Sequence, residues 1–321
     1  MKITACQLGA ALYVPATRPI ENLLEISAGT KWPELRSVIY CTEDSVREDE
    51  LPAAINNLKH FLPNLKAYDS LTFSGPLRFI RVRNPEIMKI CLQLPGIEKI
   101  HGFVLPKLTA SNLDTYLTMI NDKDNFMLMP TLETAEVFNS NKMIELRDML
   151  LRENTKKRIL CLRIGGNDLL SCLRVRRDPN RTIYDTAVGK LISHLAGIFI
   201  PSGFSLSAPV FEVLKNEAVL REEVRLDLLH GLCGKTAIHP TQIPIIETIY
   251  AVNKQELSDA NQILNDKAPA VFKANDSMCE PATHRLWATN TLTRFSLFGE
   301  HAENELSKMK RNQIGGIRAH L

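Results

Sequence analysis

Residues 126–152, FMLMPTLETAEVFNSNKMIELRDMLLR, hold the unit that decides the architecture. The opening run, 126–131, is short and almost wholly apolar, the form of a parallel strand buried on both faces. From Ala135 the apolar residues Val137, Met143, Ile144, Leu146, Leu150 and Leu151 recur at helical spacing, with Lys, Glu and Arg between them. The same unit repeats outward in both directions. Strands are expected at 11–15, 37–41, 78–83, 102–106, 126–131, 158–164, 206–210 and 235–238, each bounded by turn residues or charge. Helices are expected at 51–62, 85–94, 111–121, 135–152, 184–196, 217–230 and 241–252. Strand-then-helix alternation of this length is the rhythm of a (β/α)8 barrel. An open doubly wound sheet is the alternative, but neither GxGxxG nor GxxxxGK[ST] occurs, which weakens its nucleotide-binding forms.

Beyond 252 the pattern changes. Asn253 and Glu256 read as a capping box opening a helix through 264, followed by a poorly periodic stretch, 265–283, an amphipathic helix at 286–298 and a polar tail expected to fray. The expectation is therefore an α/β chain, a (β/α)8 TIM barrel over 1–252 with a C-terminal helical extension over 253–321. The 321 residues suffice for one such barrel with a large core. Lys and Arg number 39 against 36 Asp and Glu, and the near balance argues against a dedicated nucleic-acid or membrane-surface protein. No apolar run approaches the length of a membrane span, and the start MKITACQLGAALYVPATRP lacks the layout of a signal peptide. The seven cysteines are scattered and never form CxxC, so neither a disulfide framework nor a structural zinc site is expected, and a cytoplasmic location fits.

Barrels of this kind place their chemistry at the C-terminal ends of the strands. Reading off those ends gives Glu43 and Asp44, Arg81 and Arg83, Lys107, Glu133, Asn167 and Asp168, Ser207 and His239. Glu133 and Asp168 follow adjacent strands and are the candidate metal ligands; two carboxylates completed by water and a substrate oxygen suit Mg²⁺. Each also has a structural reading, Glu133 as a helix-end charge and Asp168 in a tight turn after Gly165 and Gly166. Arg81 and Arg83 share one face of their strand and need anions, either the acids at 43 and 44 or a substrate carboxylate. Lys107 reads as an anion or proton handler or as a rim ion pair, and His239 as a structural imidazole. Arg174, Arg176, Arg177 and Arg181 crowd the loop after the sixth strand, either as a solvated face or as a clamp for a second anionic group such as a phosphate.

The segments LYVPATRP, TEDSV, FIRVRNP, VLPK, PTLETAE, GGNDL and GKTAIHPTQI occur here in the order and spacing of one family. The chain resembles the citrate lyase β-subunit / HpcH–HpaI aldolase superfamily. With RTIYDTAVG, LSAPVFE, DLLHGLCGKTAIHP and MCEPATHRLWA it looks most like the carbon–carbon bond lyase branch found with tellurium-resistance gene clusters. The resemblance implies that Glu133 and Asp168 are Mg²⁺ carboxylates and that Arg81 holds the substrate carboxylate. It further implies that Glu43 and Asp44 are the last two acids of a DLED motif, and Lys107 the lysine of a PK motif. In CoA-dependent relatives a C-terminal Met-x-Asp-x-Pro segment covers the active site and supplies an acid or base; Met278, Cys279, Glu280 and Pro281 fall in that place, with Glu280 for Asp. Trimers or hexamers are common in the family.

Two departures stand out: Cys41 replaces the first Asp of DLED, and Arg83 stands where many relatives have Asn. With the arginine-rich loop, in which Arg174 and Arg177 are the candidate substrate contacts, they point away from citryl and malyl thioesters. The expected function is a Mg²⁺-dependent carbon–carbon lyase of aldol or Claisen type. Its expected substrate is a small anionic carboxylate, phosphorylated or CoA-linked forms included. The alternative is a barrel that binds a ligand or partner in a stress-response or biosynthetic complex without catalysis.

Overall fold

The structure, a computed structural model, describes residues 3–66, 75–275 and 277–301. It divides into two compact units, Met1–Ile246 and Glu247–Leu321. The first contains eight parallel strands: β1 (Ala10–Pro15), β2 (Ser37–Cys41), β3 (Leu77–Arg81), β4 (Gly102–Leu105), β5 (Met127–Leu132), β6 (Leu162–Ile164), β7 (Leu206–Ser207) and β8 (Lys235–Ala237). Each pairs with its sequence neighbours in order and β8 pairs with β1. A parallel bridge between Ala208 and Lys235 joins the seventh and eighth strands. The sheet therefore curls into a barrel, which removes the open-sheet alternative.

The helices up to the end of the barrel repeat are α1 (Ile20–Ser27), α2 (Leu51–Phe61), α3 (Pro85–Cys91), α4 (Ala110–Leu117), α5 (Ser140–Leu150), α6 (Glu153–Lys156), α7 (Gly166–Cys172), α8 (Ala187–Phe199), α9 (Glu217–Leu229) and α10 (Gln242–Tyr250). Three of these, α1, α6 and α7, fall where the sequence pattern predicts no helix. All are short, and α7 starts on the double glycine that reads equally well as a turn. The helix expected over 135–152 is instead broken at Asn139, whose side chain accepts N–H bonds from Asn141 and Lys142 at 3.0 and 3.3 Å. That cap lets the chain restart as α5 after a 3₁₀ turn. The strand expected over 206–210 stops at Ser207, two residues before Pro209, which has no N–H for a ladder.

Alternation along the strands sorts the barrel interior into levels. Ala11, Ile39, Phe79, Met129 and Cys161 form an apolar plug with Leu8 and Val104. Two residues further along the same strands come Tyr13, Cys41, Arg81, Thr131 and Arg163, which line a cavity above the plug. Polar chemistry thus begins one side-chain level below the strand ends.

Outside β8 a buried ion network ties the barrel wall together. The Lys235 ammonium meets Asp227 at 2.8 Å, Glu223 at 3.1 Å and the carbonyl of Pro209 at 3.1 Å. Glu223 and Asp227 lie four residues apart on α9, one turn of one face. Arg177 donates to Glu223 and to the carbonyl of Val210 at 2.9 Å, and forms an ion pair with Glu212 at 2.8 Å. The Tyr184 hydroxyl donates to Asp227 at 2.7 Å. This network holds Val210 and Thr236, both of which face the cavity.

In the second unit, Asn253 caps α11 (Lys254–Ile263) by accepting the Glu256 N–H at 2.8 Å. The stretch with little helical period contains an antiparallel hairpin, β9 (Phe272–Ala274) and β10 (Ser277–Cys279). It leads into α12 (Pro281–Phe298), which begins earlier than its pattern predicts because Pro281 suits the first helical turn. Ala260, Ile263, Ala274, Cys279 and Ala288 make a small separate core. The Val252 N–H donates to Gly299 and the His301 N–H to the carbonyl of Val252, so the first residues of the polar tail are paired. The remainder of that tail, 302–321, lies outside the described residues. Among the described residues no helix is long and apolar enough to cross a membrane.

Lys235→Met should destabilise the fold by about 3–5 kcal/mol, because it leaves Asp227 fully buried without its cation and Glu223 with Arg177 alone. Urea unfolding at neutral pH measures the loss.

Candidate active site

The cavity at the C-terminal end of the barrel has a volume of about 220 Å³. Its floor carries Tyr13, Arg81, Thr131, Arg163 and Thr236, and its rim Asp44, Glu133, Asn167 and Asp168. Glu133 follows β5 and Asp168 sits in the first turn of α7, so the two acids come from adjacent strands, as their spacing suggests. A Cβ on Gly165 would lie 2.3 Å from Glu133 Oε2 and 2.4 Å from Glu133 Cβ. Glycine there is what gives the Glu133 carboxylate its place.

Arg81 is the centre of charge. Its guanidinium meets Glu43 at 2.7 Å, Asp44 at 3.1 Å and Glu133 at 3.4 Å. The ion-pair alternative for Arg81 is therefore realised with both acids of the β2 loop and with a third from β5. Lys107 contributes twice: its Nζ lies 3.2 Å from Glu43 Oε1, and its backbone N–H donates to Glu133 Oε1 at 2.8 Å. The second bond requires Lys107 to adopt a left-handed backbone, φ 50°.

Burial pushes the Glu133 carboxyl up to about 7, with Asp168 adding to the rise while Arg81 and the Lys107 N–H oppose it. Burial, with Asp44, raises Asp168 as well. Glu43 is raised by burial against the pull of Arg81. Burial alone would lower Lys107, but its hydrogen bond to Glu43 and the charges of Glu43, Asp44 and Asp168 hold it above its ordinary value. Three or more His, Cys, Asp or Glu side chains in metal-binding arrangement are not found among the described residues. The candidate donor set is then the two carboxylates Glu133 and Asp168, a pair that would suit a hard cation keeping several waters. Gly165 provides the space at that point, since any side chain there would collide with Glu133.

Other expected site residues go elsewhere. Arg83 bonds to the carbonyls of Thr42, Glu43 and Val46 and so braces the β2 loop from outside the cavity. Arg174 and Arg177 do not form a clamp: Arg174 is exposed, and Arg177 is buried in the ion network around Glu223. Neither lines the cavity. Arg177 is paired instead with Glu212 and Glu223, away from the cavity lining. Ser207 ties β7 to the carbonyl of Gly234, and exposed His239 pairs with Thr241 in its own loop. Glu280 belongs to the second unit, where it precedes α12 and accepts a bond from Thr283. Arg163, Tyr13, Thr131 and Thr236 are the cavity residues that strand-end reading passes over. The signal for Arg163 is a cation in the middle of the apolar run LCLRIGG, two residues before Gly165.

Comparison with known proteins agrees with this fold. A family model described as C–C bond lyase of the TIM-barrel fold matches residues 2–300. The chain belongs to that family of carbon–carbon bond lyases. A (3S)-malyl-CoA thioesterase of Cereibacter sphaeroides is 25% identical over 259 residues, 79% of this chain and 80% of that protein. The chain is also similar in fold to CitE from Mycobacterium tuberculosis, solved with magnesium, acetoacetate and coenzyme A. There the TM-score is 0.65 at 20% identity, over 89% of this chain and 97% of that one. The citrate lyase β subunit from M. tuberculosis, solved with oxaloacetate and magnesium, gives a TM-score of 0.54 at 20% identity, over 75% and 96%.

Arg81→Met, which strands the buried carboxylates of Glu43 and Glu133, should cost about 3–5 kcal/mol. Lys107→Met should cost about 0–1 kcal/mol, because the Lys107 side chain is 57% exposed and its ion pair is solvent-screened. Paired denaturant titrations separate the two.

Proposed function

We propose that this family member is a Mg²⁺-dependent carbon–carbon lyase that cleaves or forms a bond in a small anionic carboxylate by aldol or Claisen chemistry. The observation that carries the reading is the convergence of Glu133 and Asp168 on one cavity beside Arg81. The magnesium, oxaloacetate and acetoacetate in the solved structures of similar fold support it. Four acids, Glu43, Asp44, Glu133 and Asp168, outnumber the cations Arg81, Lys107 and Arg163 around this space, so a divalent cation relieves an excess of negative charge. Glu133 and Asp168 would hold Mg²⁺, which supplies Lewis-acid stabilisation of negative charge developing on a substrate oxygen.

The chain's own groups do the rest. Arg81 presents a guanidinium to the substrate carboxylate from the cavity floor. Cleavage removes the proton of the substrate hydroxyl; that oxygen becomes a carbonyl, and the electron pair of the breaking C–C bond passes to the other fragment, which then takes a proton. Glu43 and Lys107, in hydrogen-bond contact, form the relay that accepts and returns this proton. Asn167 and the walls of the cavity limit the substrate to a short chain at the reacting end.

Asp168→Ala should keep the fold while abolishing Mg²⁺ binding by calorimetry. It should also abolish Mg²⁺-dependent release of pyruvate, oxaloacetate or an aldehyde from candidate hydroxy acids and their thioesters. Full turnover in that variant, or thioester hydrolysis with no C–C cleavage by the unmodified protein, would sink the lyase reading.

A further inference from the structure

Five arginines of the described chain are buried, and four of them have evident compensation. Arg81 has three carboxylates and Arg177 two. Arg78 donates to the carbonyls of Lys66 and Ser27, and Arg158 to those of Asn121 and Asp124. Arg163 is the exception. It is 2% exposed, and its hydrogen bonds go to the hydroxyl of Thr236 and, at 3.9 Å, to the thioether of Met129. Neither acceptor is a carboxylate or a backbone carbonyl, and the thioether is a weak one. Among the described residues no carboxylate lies within ion-pair distance of it. A buried cation left in this state is costly unless something in the site completes it.

The surroundings show where the missing anion would go. Arg163 lines the same cavity as Arg81, and both guanidinium carbons stand over the Tyr13 ring, at 5.5 and 5.8 Å from its centroid. The ring positions both cations without neutralising either, since burial keeps its phenol protonated. Thr131, directly across the β5–β6 register from Arg163, has a buried hydroxyl with no hydrogen-bond partner and also lines the cavity. A guanidinium fork beside an unused hydroxyl is a receptor for a carboxylate.

We propose that Arg163, with the Thr131 hydroxyl, binds a second carboxylate of the substrate, so that the site selects short dianionic acids over monoanionic ones. One carboxylate faces Arg81 and the metal-binding acids at the rim; the other reaches the floor at Arg163. The cavity of about 220 Å³ confines the pair to a short diacid. In this arrangement the second cation comes from inside β6 itself and not from the arginine-rich loop after it. The proposal rests on the carboxylate-binding part of the reading above, not on its C–C cleavage.

Isothermal titration of the full-length protein in Mg²⁺ buffer with pyruvate and with oxaloacetate, which differ by one carboxylate, tests it. The unmodified protein should bind oxaloacetate at least about tenfold more tightly, the scale of a charge-assisted pair. Arg163→Met should bring oxaloacetate down to the level of pyruvate. Arg163→Lys, which keeps the charge and loses the fork, should restore part of the preference. Equal affinity for the two acids in the unmodified protein, no binding of either at millimolar concentration, or a preference that survives Arg163→Met would overturn the proposal. If Arg163→Met does not fold, the unmodified protein and Arg163→Lys still decide it. Because binding rather than turnover is read, loss of the lyase reading would leave this result intact.

Discussion

Glu43, Asp44 and Glu133 approach one another at the barrel mouth because the Arg81 guanidinium lies between them. Without that cation the three carboxylates would repel across a site that shields them poorly from each other, and the loops after β2 and β5 would have to part. Arg81 reaches them from the end of β3 because β3 lies two strands from β5 and next to β2 in the ring. Lys107 reinforces the arrangement from β4, giving Glu133 a backbone N–H and Glu43 an ammonium. The mouth is therefore built from charges that are stable only together.

The glycines of the sixth repeat serve the same end. Inward-facing positions on β6 run Cys161, Arg163 and then Gly165, so a cation is followed by an empty place. That place is filled by the carboxylate of Glu133. Gly166 is confined in turn, since a Cβ there would meet Pro209 and Ile183 at 2.8 and 2.9 Å. The close packing sets α7 directly against the strand end and brings Asp168 to the rim.

Away from the cavity, Lys235, Arg177, Glu223 and Asp227 use buried charge differently. All four are almost fully withdrawn from water and each is matched, so they hold the wall together without offering anything to a ligand. Two arginines of similar burial, Arg177 and Arg163, thus carry opposite meanings. One is consumed by its neighbours; the other is left facing a cavity with neutral groups around it.

Much of this was legible in the residues. Apolar runs alternating with amphipathic stretches imply strands and helices in sequence, since each period reflects which side chains one backbone geometry can bury. Strand ends name Glu43, Asp44, Arg81, Lys107, Glu133 and Asp168, because a barrel leaves its ends open to solvent. Short elements were harder: α1, α6 and α7 are too brief for a period to emerge, and Asn139 stops a helix that apolar spacing would continue. Linear order also placed Arg174 and Arg177 beside the site, although Arg177 turns outward to Glu223. Only the closed ring decided which cations are already neutralised, since compensation depends on residues distant in the chain, as Arg81 with Glu133 shows. Sequence by itself determined the alternation and the chemical types; tertiary structure decided the partners, because an ion pair is a relation in space and not along the chain.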